Sequence, residues 1–392
     1  MIDLLNILQS MIFLFFLMGT LYLFVFATAG LFYKPIKFMP SIIFQKIVVF
    51  IPGYKEDNVI VDVARQALDQ DYPSEFFDVI VIADSFKQET VEKLKELPIK
   101  VMEVKFEKSS KAKSLNKTME MLSDEYTVVI VLDADNIMAH DFISRINHAI
   151  NNGFVAIQGH RLAKNTNSHY AVLDALSEEI NNNIFRRGHR ILGLSAALIG
   201  SGMAFNYQLY KTLMSEIESF GEDKELEHKL LKKRILIEYL DEALVYDEKT
   251  SKSQVFITQR TRWIANQLNY ATQYLKEGFR ELFKGNIDFF DKIVQHIIPP
   301  RIFMLGFLSI IVIFSLIFNS ISWNYAWCIQ WLLCVFALLF SVPKKLFTFK
   351  TVKALFYLPF GFLLMLVSLS RVGQARKGFG HTTHSYSENI KK

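Results

Sequence analysis

Asp133-Ala134-Asp135 directly follows the apolar run 127–132. Two carboxylates one residue apart, at the end of a buried strand, can share a divalent ion. Hard oxygen ligands suit Mg2+ or Mn2+, which offset the charge of a diphosphate. The plain alternative is a solvated turn in which aspartate bonds its own backbone. Position after a buried strand favours the first reading.

Glu222-Asp223 opens the stretch EDKELEHKLLKKR. Acidic residues in the first turn of a helix complement its dipole, and that accounts for them without chemistry. The chemical reading makes Asp223 a general base that takes the proton of an attacking hydroxyl. Gln259-Arg260-Thr261-Arg262-Trp263 places a guanidinium and a flat aromatic ring within about one helical turn. Arg262 can grip a leaving diphosphate through two bonds and Trp263 can stack on a sugar. An amphipathic helix at a membrane surface carries the same residue types. Lys111, in KAKSLN, can reach a phosphate from a helix start or simply be solvated, and Gly200-Ser201-Gly202 allows close backbone approach to a ligand or makes a turn.

The elements that must position these residues alternate in type. Residues 47–51 form a β-branched run ending in Pro52-Gly53, followed by helical periodicity over 58–70, an apolar strand at 78–83, and a polar helix at 89–96. A strand at 100–104, a helix at 112–122 and the strand 127–132 continue the pattern. Near-continuous apolar strands separated by helices argue for a parallel sheet covered on both faces. In such sheets ligands bind beyond the carboxyl ends of the strands. Glu56, Asp84, Asp133 and Asp135 all fall at those ends. Residues 177–190 read as helical, and 193–205 as a loop leading into a short strand.

Of the 392 residues 51% are hydrophobic, and the excess collects at the two ends of the chain. Residues 11–32 are uncharged and long enough to span a bilayer. They lack the basic start and small-residue cleavage site of a signal peptide. Lys34 and Lys37 after the span place the following domain in the cytoplasm. Residues 285–300 mix Phe289, Phe290 and Ile293 with Asp288, Asp291, Lys292 and His296, the pattern of a helix lying in the membrane interface. Apolar segments follow at 302–318, 323–342 and 352–369. The last holds Pro359 and Gly361 and is flanked by Lys350, Lys353, Arg371, Arg376 and Lys377, which favours a segment that enters and returns over a plain span. The net charge of +5 is far below a nucleic-acid binder's basic stripe, so no nucleic-acid partner is expected. Cys328 and Cys334 lie in an apolar segment without ligand spacing, which argues against zinc.

In their order these pieces resemble the membrane-integrated, processive branch of glycosyltransferase family 2, the cellulose, chitin, hyaluronan and poly-N-acetylglucosamine synthases. The resemblance implies a GT-A fold, an α/β Rossmann-like mixed sheet flanked by helices, joined to transmembrane and interfacial helices. It implies an integral protein of the plasma (inner) membrane with these boundaries: an anchor and linker at 1–45, the catalytic domain at 46–284, an interfacial helix at 285–300, membrane segments at 301–375 and a basic tail at 376–392. Asp84 and Lys111 match the family's nucleotide and donor positions, with Glu56 beside them. Asp133 and Asp135 match its D-x-D, which binds the metal and the UDP-sugar diphosphate. Asp223 matches the last residue of T-E-D, the base. Gln259, Arg262 and Trp263 match Q-x-x-R-W, with Arg262 on the diphosphate and Gln259 and Trp263, joined by Glu222 and Ser201, on the acceptor side. Gly221 stands where the family has Thr, and Ser85 where a second Asp is common. The tail KGFGHTTH, with His381 and His384, resembles a segment that follows the last span in relatives. The implied activity is inverting transfer that extends a glycan. Transfer of one sugar to a lipid acceptor (polyprenyl phosphate or glycolipid) is the alternative, and an inactive scaffold the third reading. Export or regulation falls to accessory subunits.

Overall fold

The computed structural model describes residues 2–39, 41–218, 221–249, 253–318 and 320–375. The expected tail with His381 and His384 lies outside them. The chain divides into a sheet unit (34–165 and 194–249) and a helical unit (2–33, 166–193 and 253–375).

In the sheet unit, the described strands are β1 (Ile47–Tyr54), β2 (Phe77–Asp84), β3 (Lys100–Val104), β4 (Val128–Val131), β5 (Ile137–Met138), β6 (Ala156–Ala163), β7 (Met203–Asn206) and β8 (Glu238–Asp247). They form one sheet in the order β3-β2-β1-β4-β7-β6-β8-β5. β1 pairs in parallel with β2 and β4, and β2 with β3. β7 runs antiparallel to both β4 and β6, and β5 antiparallel to β8. The sheet is therefore mixed, as the family resemblance implies. The parallel sheet read from strand–helix alternation holds for β3-β2-β1-β4 and again for the β6–β8 pair, while β7 and β5 run against their neighbours. A strand buried on both faces has the same apolar composition in either direction, so alternation cannot report the reversal at β7.

Ile47, Val49 and Ile51 of β1 pack with Val63, Ala64, Ala67, Leu94, Phe142 and Ile146 from helices Ile60–Ala67, Gln88–Lys95 and Phe142–Asn151. Val48 and Phe50, which point to the other face, are equally buried. Both faces of this central strand are thus covered. The order β3-β2-β1-β4 reverses direction at β1, which makes a crevice at the carboxyl ends of β1 and β4.

In the helical unit, three described helices are long and apolar enough to cross a membrane: Asn6–Gly30, Arg301–Phe318 and Ile321–Phe340. A fourth candidate is a pair, Phe349–Leu355 and Leu358–Ser370, bent by 51° at its break, the geometry of a broken span or a re-entrant loop. Helix His169–Asn182 runs into a π-helical turn at Asn183–Gly188. Gly188 meets the first helix so closely that a β-carbon there would lie 2.1 Å from the Phe26 carbonyl oxygen. Next to it the His189 ring stacks on Phe26 at 3.9 Å. Helix Ile287–Ile297, where the interfacial segment was expected, buries Asp291, Lys292 and His296 together with Phe289 and Ile293. Asp291 accepts hydrogen bonds from Tyr22 Oη at 2.7 Å and Gln295 Nε2 at 2.8 Å, and pairs with His189 Nε2 at 3.1 Å.

Candidate functional site

β4 carries the chain to the crevice and stops there. Leu132 still donates to Phe50 of β1 at 2.9 Å, but the Asp133 N–H turns away and donates to Ser201 Oγ at 2.9 Å. With the Asn136 amide assigned in the orientation that satisfies both its atoms, its oxygen accepts from Ser201 Oγ at 2.7 Å and its nitrogen donates to Asp135 Oδ1 at 3.1 Å and Asp247 Oδ1 at 3.0 Å. Asp135 is buried, so the amide fixes its carboxylate where water has little access. Ser201, expected on the acceptor side, holds the backbone of the D-x-D.

Lys111 is the first residue of helix Lys111–Met121, which Ser110 caps by accepting from Lys113 N–H at 3.2 Å. Its ammonium bonds the Asp133 carboxylate, donates to the Gly200 carbonyl at 2.6 Å and lies 3.5 Å from Glu222 Oε1. Burial alone would lower this ammonium's pKa. Asp133, Glu222 and Asp223 outweigh it and raise the group above ordinary lysine. Glu222 moves the same way for the opposite reason: burial pushes its carboxyl up to about 7, Lys111 offsets part of that, and Asp223 and Asp133 add to it.

Gly200 is left-handed, with φ of +84°. A β-carbon there would sit 3.9 Å from both the Asp223 carboxylate and the Lys111 ammonium. Glycine thus keeps the floor of the cluster open as well as permitting the turn. Glu222 and Asp223 occupy the first turn of helix Glu222–Lys232, as capping logic expects, yet Glu222 faces inward to the cluster.

Asp84 ends β2 and is buried. Ser85 Oγ donates to its Oδ1 at 2.9 Å, while Oδ2 is buried without a hydrogen-bond partner. Such an atom costs ~1–3 kcal/mol unless a ligand group meets it. Two non-glycine residues beside it, Lys55 and Ser85, have left-handed φ of 56° and 60°. Glu56 is buried just beyond β1.

Gln259, Arg262 and Trp263 lie in the helical unit, on helix Ser253–Phe283. Arg260, between them, bonds Asp174 and lies 4.3 Å from the centre of the Trp263 ring. Residues that sequence reasoning missed are Gln158, Lys224 and Glu227. Gln158 is buried and ties Ile199 N–H (3.0 Å) to Ser201 C=O (3.0 Å). Lys224 and Glu227 bond Leu198 of the same loop. Their spacing of one and four residues from Asp223 was the available signal.

Among the described residues no three His, Cys, Asp or Glu side chains are grouped to hold a metal ion. The donor set nevertheless suits one. Lys111 gives one positive charge against Asp133, Glu222 and Asp223, which leaves a deficit that a divalent cation fits. Magnesium-type ions are commonly held by one or two carboxylates, with substrate phosphates and water completing the shell. Asp133 and Asp135 meet that requirement.

A model of the "Glycosyltransferase like family 2" matches residues 45–266. Among curated proteins none matches the sequence significantly. Of solved structures, the mannosyltransferase PcManGT from Pyrobaculum calidifontis, in complex with GDP-Man and Mn2+, is 13% identical. It covers 96% of this chain and 100% of its own, with a TM-score of 0.58. Glucosyl-3-phosphoglycerate synthase from Mycobacterium tuberculosis, in complex with Mn2+, UDP and phosphoglyceric acid, is 15% identical over 57% of this chain and 78% of its own, with a TM-score of 0.42. The likeness to PcManGT is one of fold. The family match covers more than half of the chain, from before β1 to the end of the Q-x-x-R-W motif, and the protein therefore belongs to glycosyltransferase-like family 2.

Proposed function

We propose that this protein is an inverting glycosyltransferase that takes a sugar from a nucleotide diphosphate, a UDP-sugar in the first instance, and extends a glycan at the cytoplasmic face of the plasma (inner) membrane. The observation that carries the reading is the Lys111 ammonium held between Asp133, Glu222 and the Gly200 carbonyl at the crevice of a family-2 fold. Three long apolar helices support the membrane setting.

Asp133 and Asp135 would hold Mg2+ or Mn2+, which supplies charge neutralisation at the diphosphate. Lys111 adds a fixed positive charge on the donor side, and Asp84 Oδ2 offers an acceptor to the nucleotide. Asp223 takes the proton from the acceptor hydroxyl as that oxygen attacks the anomeric carbon, and the nucleotide diphosphate leaves. Arg262 compensates the leaving group and Trp263 receives the acceptor ring. Most of the barrier reduction in such a site comes from placement and fixed charge.

The test is a panel of UDP-sugars together with GDP-mannose, the donor present in the PcManGT structure. Each is supplied to membranes containing the protein, with nucleotide release and product length measured. A ladder of long products from one donor is the expected result. A single-sugar lipid product replaces glycan extension with the lipid-acceptor reading. Absence of release from every donor removes the transferase reading.

A further inference from the structure

Four consecutive loop residues join the two acidic parts of the cluster. Leu198 is held at both ends by one helix: its N–H donates to Glu227 Oε1 at 3.1 Å, and its carbonyl accepts from Lys224 Nζ. Two residues on, the Gly200 carbonyl takes Lys111 Nζ at 2.6 Å, and Ser201 Oγ takes the Asp133 N–H at 2.9 Å. The segment 198–201 is therefore a strap, with the Asp223 helix at one end and the D-x-D at the other.

Glu227 is buried and lies one helical turn beyond Asp223. It pairs with Lys224 Nζ at 3.2 Å, and the same ammonium is 3.9 Å from Asp223 Oδ2. Lys224 thus stands between two carboxylates and is drawn to the nearer, more buried one. From this geometry we infer that Glu227 is a positioning residue for sugar transfer. It anchors the strap at Leu198 and keeps the Lys224 ammonium off Asp223, so that the Asp223 lone pairs stay free for the acceptor proton. The inference rests on the transferase reading above and adds to it a residue that touches neither donor nor acceptor.

Glu227→Gln keeps an oxygen for the Leu198 N–H and removes the charge that restrains Lys224. Released, the ammonium closes on Asp223 and makes it a weaker base, because a nearby positive charge favours the ionised carboxylate. The expected result is a kcat lower by about 10- to 100-fold, less than the ~10²–10⁴-fold of losing a general base outright because the base is weakened and not removed, with donor KM and UDP affinity within about twofold of wild type, since the donor-side contacts are untouched. Adding Lys224→Gln to Glu227→Gln removes the intruding charge and restores kcat by about tenfold. A merely structural role makes the double variant as poor as the single one or poorer.

Purified full-length protein in detergent is assayed for nucleotide release from the donor found active, and for UDP binding by calorimetry. Loss of kcat in E227Q with UDP binding retained, and recovery in E227Q/K224Q, supports the inference. Unchanged kcat in E227Q, loss of UDP binding along with kcat, or no recovery in the double variant overturns it alone. A wild-type protein that releases nucleotide from no donor overturns the transferase reading, and this inference with it.

Discussion

Two buried carboxyls, Glu222 in the sheet unit and Asp291 in the helical unit, are shifted in opposite directions although burial raises both. Burial pushes Glu222 up to about 7, because Lys111 at 3.5 Å offsets only part of it while Asp223 and Asp133 work the other way. Asp291 is buried too, yet His189, Tyr22 and Gln295 outweigh the burial and hold it below the usual carboxylate value. Donors, not depth, decide the sign. The two regions differ accordingly in what their charges are for. Around Lys111 the carboxylates outnumber the cation, and Asp84 keeps an oxygen without a partner, so the cluster has capacity for a ligand. Around Asp291 three donors converge on one carboxylate and tie helix Ile2–Gly30 to helix Ile287–Ile297. The first region is built to receive, the second to hold.

That contrast can be broken most forcefully at Asp223. Asp223→Asn should lower nucleotide release by about 10³-fold, within the range of general-base contributions, while UDP binding measured by calorimetry stays near wild type. Retained turnover would remove Asp223 from the base role. Metal removal comes next. Chelation by EDTA should cut turnover by about 100-fold, with recovery on adding Mn2+ or Mg2+. Asp135→Ala should abolish that recovery, and an Asp135→Ala enzyme that still responds to metal would move the site elsewhere. In the helical unit the expected effect is on stability. Asp291→Asn replaces a charged acceptor of hydrogen bonds by a neutral amide, at a cost of ~2 kcal/mol. It should lower the thermal midpoint in detergent with UDP affinity unchanged. A loss of UDP affinity equal to that from a donor-side substitution would erase the distinction between the two regions.

How far these features were legible in the sequence follows the same division. The strands of the sheet unit read well because β-branched runs such as Ile47-Val48-Val49 have few other uses, and Asp133 stood out by following one of them. Strand direction did not read, since β7 carries the composition of any buried strand. Glu227 and Lys224 sit in a charge-rich stretch that looks like a solvated helix, and only the fold shows that Glu227 turns inward. The Tyr22–His189–Asp291 set joins positions up to 269 residues apart. The spacing of apolar residues in helix Ile287–Ile297 says nothing about a partner on another helix. The Q-x-x-R-W residues do lie on a helix, Ser253–Phe283, in keeping with their reading as a single helical turn.

The smallest expected effect is also the one that isolates Glu222. Its folded pKa of about 7 lies above the ordinary 4.5, so the folded protein keeps this proton over a range where the unfolded chain has lost it. Between about pH 4.5 and 7 the contribution of Glu222 to stability therefore falls as pH rises, and above 7 it stays at its low value. Glu222→Gln has no proton to lose. The difference in stability between variant and wild type, followed by thermal melting of the ligand-free protein, should grow in favour of the variant across that window. It should then level off above pH 7, where both states have lost the proton. A difference that is flat from pH 4.5 to 8 would mean that Lys111 neutralises Glu222 completely. The cluster would then resemble the Asp291 set, saturated from within, and the case for spare capacity would rest on Asp84 alone.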